Sequence, residues 1–307
     1  MLRQELLCSS CGVVGRYIDG IPCFTGPENY RGEISPERMR EINRLACQRG
    51  WQAAIDQVAP AEAAHIRNER RADFRHVFDL PPDSAVLDLA DRWGTIAMAL
   101  GRSFSRVTVV EDVLERARFI GLRARDMGAP VEAVCADFLR LPLAPEQFDA
   151  AVLNGIDGPE SPAPGDPPEV LLRLLHSIRE TLKPRGFVCL GIHNRLGWRG
   201  LESSLARRAA RPAHPRARSH SLSEYHQIFR AAGYGRVRAF HAWNGSDDPG
   251  ILLPLENTRA LVHFVDSRDF CARGWRSRIY GSALRAAARW GLWTRCAPAV
   301  IFLVEKA

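Results

Sequence analysis

The feature that most constrains this chain of 307 residues is a regular alternation of short apolar runs with amphipathic helical segments in its middle third. A strand of a parallel sheet is covered on both faces and therefore reads as a continuous apolar run. Parallel neighbours also need a crossover connection, which is usually a helix. The alternation therefore predicts βαβ units with right-handed crossovers. The predicted strands are 85–89, 106–110, 131–135, 149–153 and 187–192, and the predicted helices are 94–100, 112–127 and 168–182.

Two helical segments are predicted before this core. The first begins at Pro36, directly after Ser35, and proline suits the first turn of a helix. Apolar residues then recur at helical spacing and share one face. A second helical segment is predicted over 61–78. The apolar residues of the first helix are Ile42, Leu45 and Ala46.

Acidic residues stand at the ends of three successive predicted strands. They are Asp88 in the first strand, Glu111 just after the second and Asp137 just after the third. In open parallel sheets, ligands bind outside the carboxyl ends of the strands. Glu111 follows Asp88 by 23 positions, close to the spacing at which a carboxylate accepts hydrogen bonds from ribose hydroxyls. The series predicts a ligand that contains a nucleoside.

Four segments together resemble the motifs of the class I S-adenosylmethionine-dependent methyltransferases. The resemblance implies an α/β, Rossmann-like, doubly wound sheet of seven strands with an antiparallel last strand. It also implies S-adenosylmethionine as the cofactor. The four segments are VLDLADRWG at 86–94, VVEDV at 109–113, ADFLRLPLAPEQFDAAVLNGI at 136–156 and LKPRGFVCLGI at 182–192.

The resemblance also implies which residues contact this cofactor. Glu111 would bind the ribose, and Asp137 with Phe138 would address the adenine. The remaining positions in these motifs that are expected to bind the cofactor are Asp88, Ala90, Gly94 and Asn154.

A nicotinamide-dependent Rossmann enzyme is the main alternative on fold. Such an enzyme would have G-x-G-x-x-G directly after its first strand, and the sequence ADRWG at 90–94 does not supply it. The position of Asp137 and the Leu182-Lys183-Pro184 turn also favour the methyltransferase.

The loop after the first strand departs from the family pattern of three glycines, because it has Ala90, Arg92 and Gly94. Glycine lets a backbone take unusual φ angles and approach a ligand closely. We expect Arg92 to require an ordinary backbone conformation and to add bulk near the methionine part of the cofactor. The segment 157–168, rich in proline and glycine, is predicted to be a loop over the pocket. A non-catalytic methyltransferase-like subunit, binding a partner or the cofactor without turnover, therefore stays an alternative.

The C-terminal third resembles, more loosely, methyltransferases found beside cell-envelope glycan and natural-product genes. The matching strings are GIHNRLG at 191–197 and HSLSEYHQIFRAAGY at 220–234. The resemblance implies a helix in the second string, capped by Ser221 or Ser223, a sixth strand at 236–243 and an antiparallel seventh at 299–306. It implies a small-molecule acceptor, and a hydroxyl of a sugar or natural product is the first candidate for the group that is methylated.

Methyl transfer to oxygen needs a base for the acceptor proton. His193, at the end of the fifth predicted strand, is the candidate catalytic residue, although a histidine hydrogen-bonded to loop backbone is an equal alternative. His220 and Tyr225 are further candidates. A nucleic-acid methyltransferase is disfavoured, because its Asn/Asp-Pro-Pro-aromatic signature is absent after Leu153.

The N-terminal segment contains Cys8-x-x-Cys11-Gly12 followed by Asp19-Gly-Ile-Pro. It resembles the second half of the zinc-ribbon segment that precedes some bacterial methyltransferase domains. Tetrahedral zinc needs four ligands, and a second cysteine pair is missing, so a metal-free β-hairpin is expected and no metal site is assigned. The predicted organisation is a ribbon-like remnant (1–30), a helical lead-in (31–80), the core (81–193) and a part that completes the sheet and covers the acceptor (194–307).

The formal net charge is +7, and arginine supplies most of the positive charge. The densest basic stretch, 199–218, is expected to be a solvated loop rather than a surface for nucleic acid or anionic lipid. No apolar run approaches the ~20 residues of a membrane span, and no signal peptide is recognised, so a cytoplasmic location is expected. For the basic segment 276–289 with Trp290, Leu292 and Trp293, ordinary packing against the seventh strand is expected, with contact with a membrane surface as the alternative. A protein partner stays open.

Overall fold

A computed structural model describes residues 5–7, 12–25, 34–89, 92–154, 167–197, 220–243, 245–246, 248–267, 282 and 285–307. These residues form a single mixed sheet with helices on both faces. The strands are β1 (Glu5–Leu7), β2 (Val14–Ile18), β3 (Ile21–Cys23), β4 (Ala85–Leu89), β5 (Arg106–Glu111), β6 (Val131–Cys135), β7 (Phe148–Asn154), β8 (Leu182–His193), β9 (Tyr234–Ala242), β10 (Leu252–Pro254) and β11 (Ala299–Lys306).

The strand order across the sheet is β1-β2-β3-β6-β5-β4-β7-β8-β11-β9-β10. The five strands from β6 to β8 are parallel to one another. β11 runs antiparallel to both of its neighbours, β8 and β9. Because the chain builds β5 and β6 on one side of β4 and β7 and β8 on the other, the order reverses at β4. Ligands of doubly wound folds bind at such a switch point.

The predicted number of seven strands is wrong, because the sheet has eleven strands within the described residues. Each of the seven predicted segments is a strand. The additional ones are β1, β2 and β3 beyond β6, and β10 beyond β9. Three of these four contain only three residues each, which is too short for an alternating pattern to identify a strand.

The N-terminal segment is a three-stranded meander that extends the edge of the sheet. Asp19 and Gly20 form the turn between β2 and β3 with φ angles of +52° and +82°, as tight hairpins require. β3 then pairs in parallel with β6, with Cys23 opposite Cys135. The amide of Phe24 extends this pairing, donating to the carbonyl of Cys135 at 2.8 Å. The meander therefore covers an edge of β6 that would otherwise be exposed.

Helices cover the two faces of the sheet. α4 and α5 pack on one face, and α6 and α7 pack on the other. A third cluster joins α1 and α2 to the outer side of α5. The helices are α1 (Pro36–Arg49), α2 (Trp51–Val58), α3 (Ala63–Arg67), α4 (Thr95–Leu100), α5 (Leu114–Met127), α6 (Pro167–Thr181), α7 (Leu222–Ala231), α8 (Thr258–Ser267) and α9 (Trp293–Cys296).

The helical lead-in differs from its prediction in one respect. α1 begins at Pro36 with Ser35 as its N-cap, as predicted. The stretch predicted to be helical at 61–78 is helical but interrupted, since α3 ends at Arg67 and a 3₁₀ helix follows at Glu69–Val77. Asn68 separates them with a non-helical ψ of 84°. No helix of the described residues is long and apolar enough to cross a membrane.

Candidate functional site

Asp88 and Glu111 lie at the carboxyl ends of two neighbouring parallel strands, beside the point where the strand order reverses. Asp88 is fully buried in β4 and Glu111, the last residue of β5, is 1% exposed. The charge of Asp88 contributes, after burial, to a raised pKa of the Cys189 thiol in β8. Buried carboxylates are rare in protein cores unless paired or functional. These two therefore mark the end of the sheet where chemistry is expected.

Glu111 is tied to the loop between β4 and α4. Its Oε1 accepts a hydrogen bond from the backbone N–H of Arg92 at 2.5 Å. This contact bridges two parts of the chain that the sequence motifs treat separately. It fixes the loop above the end of β5.

The expectation that Arg92 takes an ordinary backbone conformation is wrong. Its φ angle is +56°, in the left-handed region that a glycine would occupy without strain. Such a conformation costs about 1–2 kcal/mol for a residue with a Cβ. The hydrogen bond to Glu111 offsets part of this cost. The loop thus keeps a glycine-type turn at a position where the sequence has arginine.

Gly94 closes the same loop and precedes α4. Its φ angle is +74°, and a Cβ built on it would lie 3.0 Å from Cγ1 of Ile120 in α5. A side chain is therefore excluded on two grounds, conformation and space. Gly94 lets the loop pack directly on α5.

Arg123 of α5 holds the loop between β4 and α4 in place, a role that was not predicted from the sequence. The side chain is 1% exposed, and its guanidinium donates to the carbonyls of Trp93 at 3.0 Å and Ile66 at 3.1 Å. It also lies 4.2 Å from the ring centre of Trp51, a cation–π distance. Thr95 donates its hydroxyl to the same Ile66 carbonyl at 2.7 Å. From sequence alone, an arginine in an amphipathic helix is predicted to face solvent. No sequence signal therefore identifies Arg123 as a buried residue that binds backbone carbonyls.

A buried pair of thiols lies beside Glu111. Cys135 pairs in register with Glu111 on one side and with Cys23 on the other. The hydroxyl of Thr25 is 3.1 Å from the Cys135 Sγ. The hydrogen bond with Cys23, followed by burial, raises the pKa of Cys135, and the same hydrogen bond lowers the pKa of Cys23 to about 6. Cys135 and Cys189 are both buried.

Asp137 and Phe138, the predicted adenine contacts, follow β6 at the same end of the sheet. Asp137 is exposed, and its Oδ1 accepts a hydrogen bond from the amide of Leu139 at 2.9 Å. Phe138 is 4% exposed and packs in the core on the α6 side. The two neighbours therefore have different surroundings, and their role at the adenine stays a prediction.

Asn154, at the end of β7, connects to the segment after β9. It is 7% exposed, and its Nδ2 donates to the carbonyl of Ser246 at 3.0 Å. A Cβ on Gly191 would lie 2.0 Å from the Asn154 Oδ1, so this side chain needs the glycine opposite it in β8. That Oδ1 accepts no hydrogen bond from any described residue.

His193, the candidate base, is the last residue of β8 and has an exposed side chain. The neighbouring Asn194 is instead 2% exposed. Its Nδ2 donates to the carbonyls of Arg295 at 2.8 Å and Ala297 at 2.9 Å. Asn194 therefore fixes the chain where β8 ends, and it was missed in the sequence because nothing there predicts these long-range partners.

The other two candidate bases are buried together. Tyr225 is fully buried in α7 and packs on Phe229 and Phe302. The ring of His220 lies edge-on to Tyr225, with the centres 5.3 Å apart. These contacts are those of core aromatic residues.

Several predictions fall on residues that the structure does not describe. These include Ala90, the Cys8–Cys11 pair, the basic stretch 199–218 and nearly all of the segment 157–168. At the end of the chain, Trp293 is fully buried whereas Trp290 and Leu292 are 77% and 43% exposed.

No protein-family model and no curated protein matches this chain. Solved structures do match it, and one is an S-adenosylmethionine-dependent methyltransferase from Thermotoga maritima with a TM-score of 0.50 and 16% identity, covering 88% of this chain and all of the other. A methyltransferase from Methanosarcina mazei matches at 0.46 and 14%, covering 74% and 94%. Phosphoethanolamine N-methyltransferase 2 of Haemonchus contortus matches at 0.47 and 13%, covering 90% and 61%. At 16% identity the Thermotoga likeness shows a shared fold, so the chain has the α/β fold of the class I methyltransferases.

Proposed function

We propose that this chain binds S-adenosylmethionine and transfers its methyl group to a small-molecule acceptor. The observation that carries the proposal is Glu111, a buried carboxylate at the end of β5 whose Oε1 holds the amide of Arg92 in the loop after β4. In a methyltransferase fold, a carboxylate at this position can accept hydrogen bonds from the hydroxyls of a ribose.

The residues around Glu111 fit such a cofactor. Arg92 and Gly94 both keep positive φ angles, so the loop retains a turn of the glycine type despite its altered sequence. Asp137 has an exposed carboxylate beyond β6, which could accept a hydrogen bond from the amino group of the adenine. Asp88 and Asn154 would complete the walls of the site.

The bound cofactor would supply an electrophilic methyl carbon on a sulfonium. The protein would then have to hold the acceptor in line and take its proton. His193 is our candidate for that base, because its exposed side chain follows β8 at the end of the sheet where the proposed site lies. A hydroxyl of a sugar or natural product is the acceptor we propose first, on the resemblance of the C-terminal strings.

Calorimetric titration with S-adenosylmethionine and S-adenosylhomocysteine tests the cofactor proposal. We expect saturable binding to the wild type, and loss of about tenfold or more in affinity for Glu111→Gln, since hydrogen bonds to a charged acceptor are lost. Glu132→Gln, an exposed carboxylate on β6, is the matched control. At about a hundred times Kd the ligand should also add roughly 2.7 kcal/mol of stability. A folded wild type that binds neither compound would refute the proposal.

Substitutions of Arg92 separate the effects of its side chain from those of its backbone. Arg92→Ala removes the guanidinium but keeps a Cβ at the positive φ angle, whereas Arg92→Gly removes both. Tighter binding by both variants would identify the guanidinium as the obstacle, and tighter binding by the glycine variant alone would identify backbone strain. His193→Gln should lower the transfer rate without changing cofactor affinity.

A further inference from the structure

A cavity lies away from the carboxyl ends of the strands, between α1, α5 and the turn that joins β2 to β3. Its volume is about 370 Å³, which lies within the range of small-ligand sites. Three arginines line it, and their only acidic companion in the lining is Asp19. The arginines are Arg44, Arg118 and Arg125.

The charges in this cavity do not balance. Arg118 pairs with Asp19 at 2.5 Å, and Arg44 pairs with Glu41 at 2.6 Å. Arg125 has no carboxylate within ion-pair distance among the described residues, and its side chain is exposed. The cavity therefore has an excess of positive charge that an anion would neutralise.

Two buried polar atoms in the lining also lack partners among the described residues. Asn43 donates its Nδ2 to the carbonyl of Glu115 at 2.8 Å, whereas its Oδ1 accepts nothing. The Nε of Arg118 donates to nothing. Buried polar groups are normally satisfied, so a ligand that carries both an acceptor and a donor would complete them.

One wall of the cavity is apolar and is formed by Ile21 of β3 with Gly121 and Leu122 of α5. Gly121 of α5 has no side chain, and a Cβ there would lie 3.0 Å from Cδ1 of Ile21 in β3. This glycine lets the N-terminal meander approach α5, so the cavity is bounded by two parts of the chain that are distant in sequence. A ligand with a short carbon skeleton would contact this wall.

We propose that this cavity binds a small anionic metabolite that carries a phosphate or carboxylate and at least one hydroxyl. The guanidinium of Arg125 binds the anion, because planar guanidinium groups match both kinds of oxyanion. The Nε of Arg118 donates to a further oxygen of the ligand, and a ligand hydroxyl donates to the Oδ1 of Asn43. The site is independent of the proposed methyl transfer.

Cys47 provides a readout that needs no enzymatic activity. It is exposed and lines the cavity, so a bound ligand should slow its alkylation by iodoacetamide, followed by peptide mass spectrometry. Cys296, in α9, is the internal reference in the same sample. Glucose 6-phosphate and citrate are the two probes, with glucose and sodium chloride at matched ionic strength as controls.

We expect one of the two anions to slow alkylation of Cys47 and to leave Cys296 unchanged. Protection by glucose 6-phosphate identifies a phosphate ester, and protection by citrate identifies a carboxylate. Arg125→Gln should weaken the binding of the protecting anion about tenfold. Arg40→Gln should not, because Arg40 is an exposed arginine of α1 that is paired with Glu37. Protection that is equal with sodium chloride, absent with both anions, or unchanged in Arg125→Gln overturns the proposal.

Discussion

Arg92 and Gly94 both have positive φ angles, yet only one of them is a glycine. The two positions meet the same conformational demand in different ways. Gly94 needs to be glycine because Ile120 of α5 occupies the space of a Cβ. Arg92 tolerates its conformation because Glu111 accepts its amide hydrogen bond. At this scale the loop retains its shape through one packing contact and one buried carboxylate.

Replacing Gly94 by alanine should destabilise the protein more than the same change at Gly128. Both glycines have positive φ angles, but a Cβ on Gly128 would have no atom within 4 Å. Gly128→Ala should therefore cost about 1 kcal/mol for its conformation alone. Gly94→Ala should cost roughly 1–3 kcal/mol more, because Ile120 has to move. Urea denaturation measures both, and equal losses would show that the contact with Ile120 yields without cost.

The helices of this protein differ in what fixes them. α7 is fixed at its start by a capping box, in which the amide of Ser221 donates to Oε2 of Glu224 at 2.6 Å and the Ser221 hydroxyl accepts from the Glu224 amide at 3.4 Å. α5 is fixed in its interior by the buried Arg123, whose partners lie outside the helix. The capping box of α7 acts within one helical turn, whereas Arg123 acts through tertiary contacts.

Ser221→Ala should lower the stability by about 1 kcal/mol, the usual value of an N-cap side chain. Ser105→Ala is the control, since Ser105 is exposed and caps no helix. Hydrogen bonds from Ser221 lower the pKa of Glu224 below its ordinary value of 4.5. The stabilisation from this carboxylate is therefore present above that value and is lost as the pH falls through the lowered pKa. Thermal melts should show the advantage of the wild type over Glu224→Gln disappearing in acid; an advantage independent of pH would contradict this.

Arg123→Met should destabilise the protein by about 3 kcal/mol, because it leaves the buried carbonyls of Trp93 and Ile66 without these donors. Arg125→Met, two positions along the same helix and exposed, should change stability by less than about 0.5 kcal/mol. Chemical denaturation of the two variants gives the comparison. Similar small losses in both would mean that Arg123 is not the anchor of the loop after β4.

For the whole molecule, the sheet joins regions that the sequence presents as separate. The N-terminal meander pairs with β6, and β10 adds a strand beyond β9. Ile21 of β3 belongs to the same buried cluster as α4 and α5. The meander is therefore expected to unfold together with the core.

Ile21→Ala should lower the midpoint of the single unfolding transition, with a loss of about 2 kcal/mol from the buried side chain. Tyr17→Ala, in the neighbouring strand β2, is the control, because Tyr17 is 48% exposed. Fluorescence and circular dichroism should report the same transition for both variants. An early, separate transition in Ile21→Ala would show that the meander is an independent unit.

The sequence by itself determined the central strands and the starts of the capped helices. The core strands are covered on both faces, so each had to be a continuous apolar run, and 131–135 was predicted with the bounds that β6 has. Caps such as Ser35 act within one helical turn and are equally visible in sequence. The positions of Asp88, Glu111 and Asp137 followed from the strands that carry them.

Only the tertiary structure decided the features whose partners are distant in sequence. The strands β1, β3 and β10 are too short to be recognised alone and exist because a neighbouring edge accepts their hydrogen bonds. Arg92 could take a positive φ angle because Glu111, at the end of β5, accepts a hydrogen bond from its amide. Arg123 could be buried because Trp51, Ile66 and Trp93 surround it. Local sequence encodes conformations that are stable over a few residues, whereas these depend on contacts that form only when the chain has closed on itself.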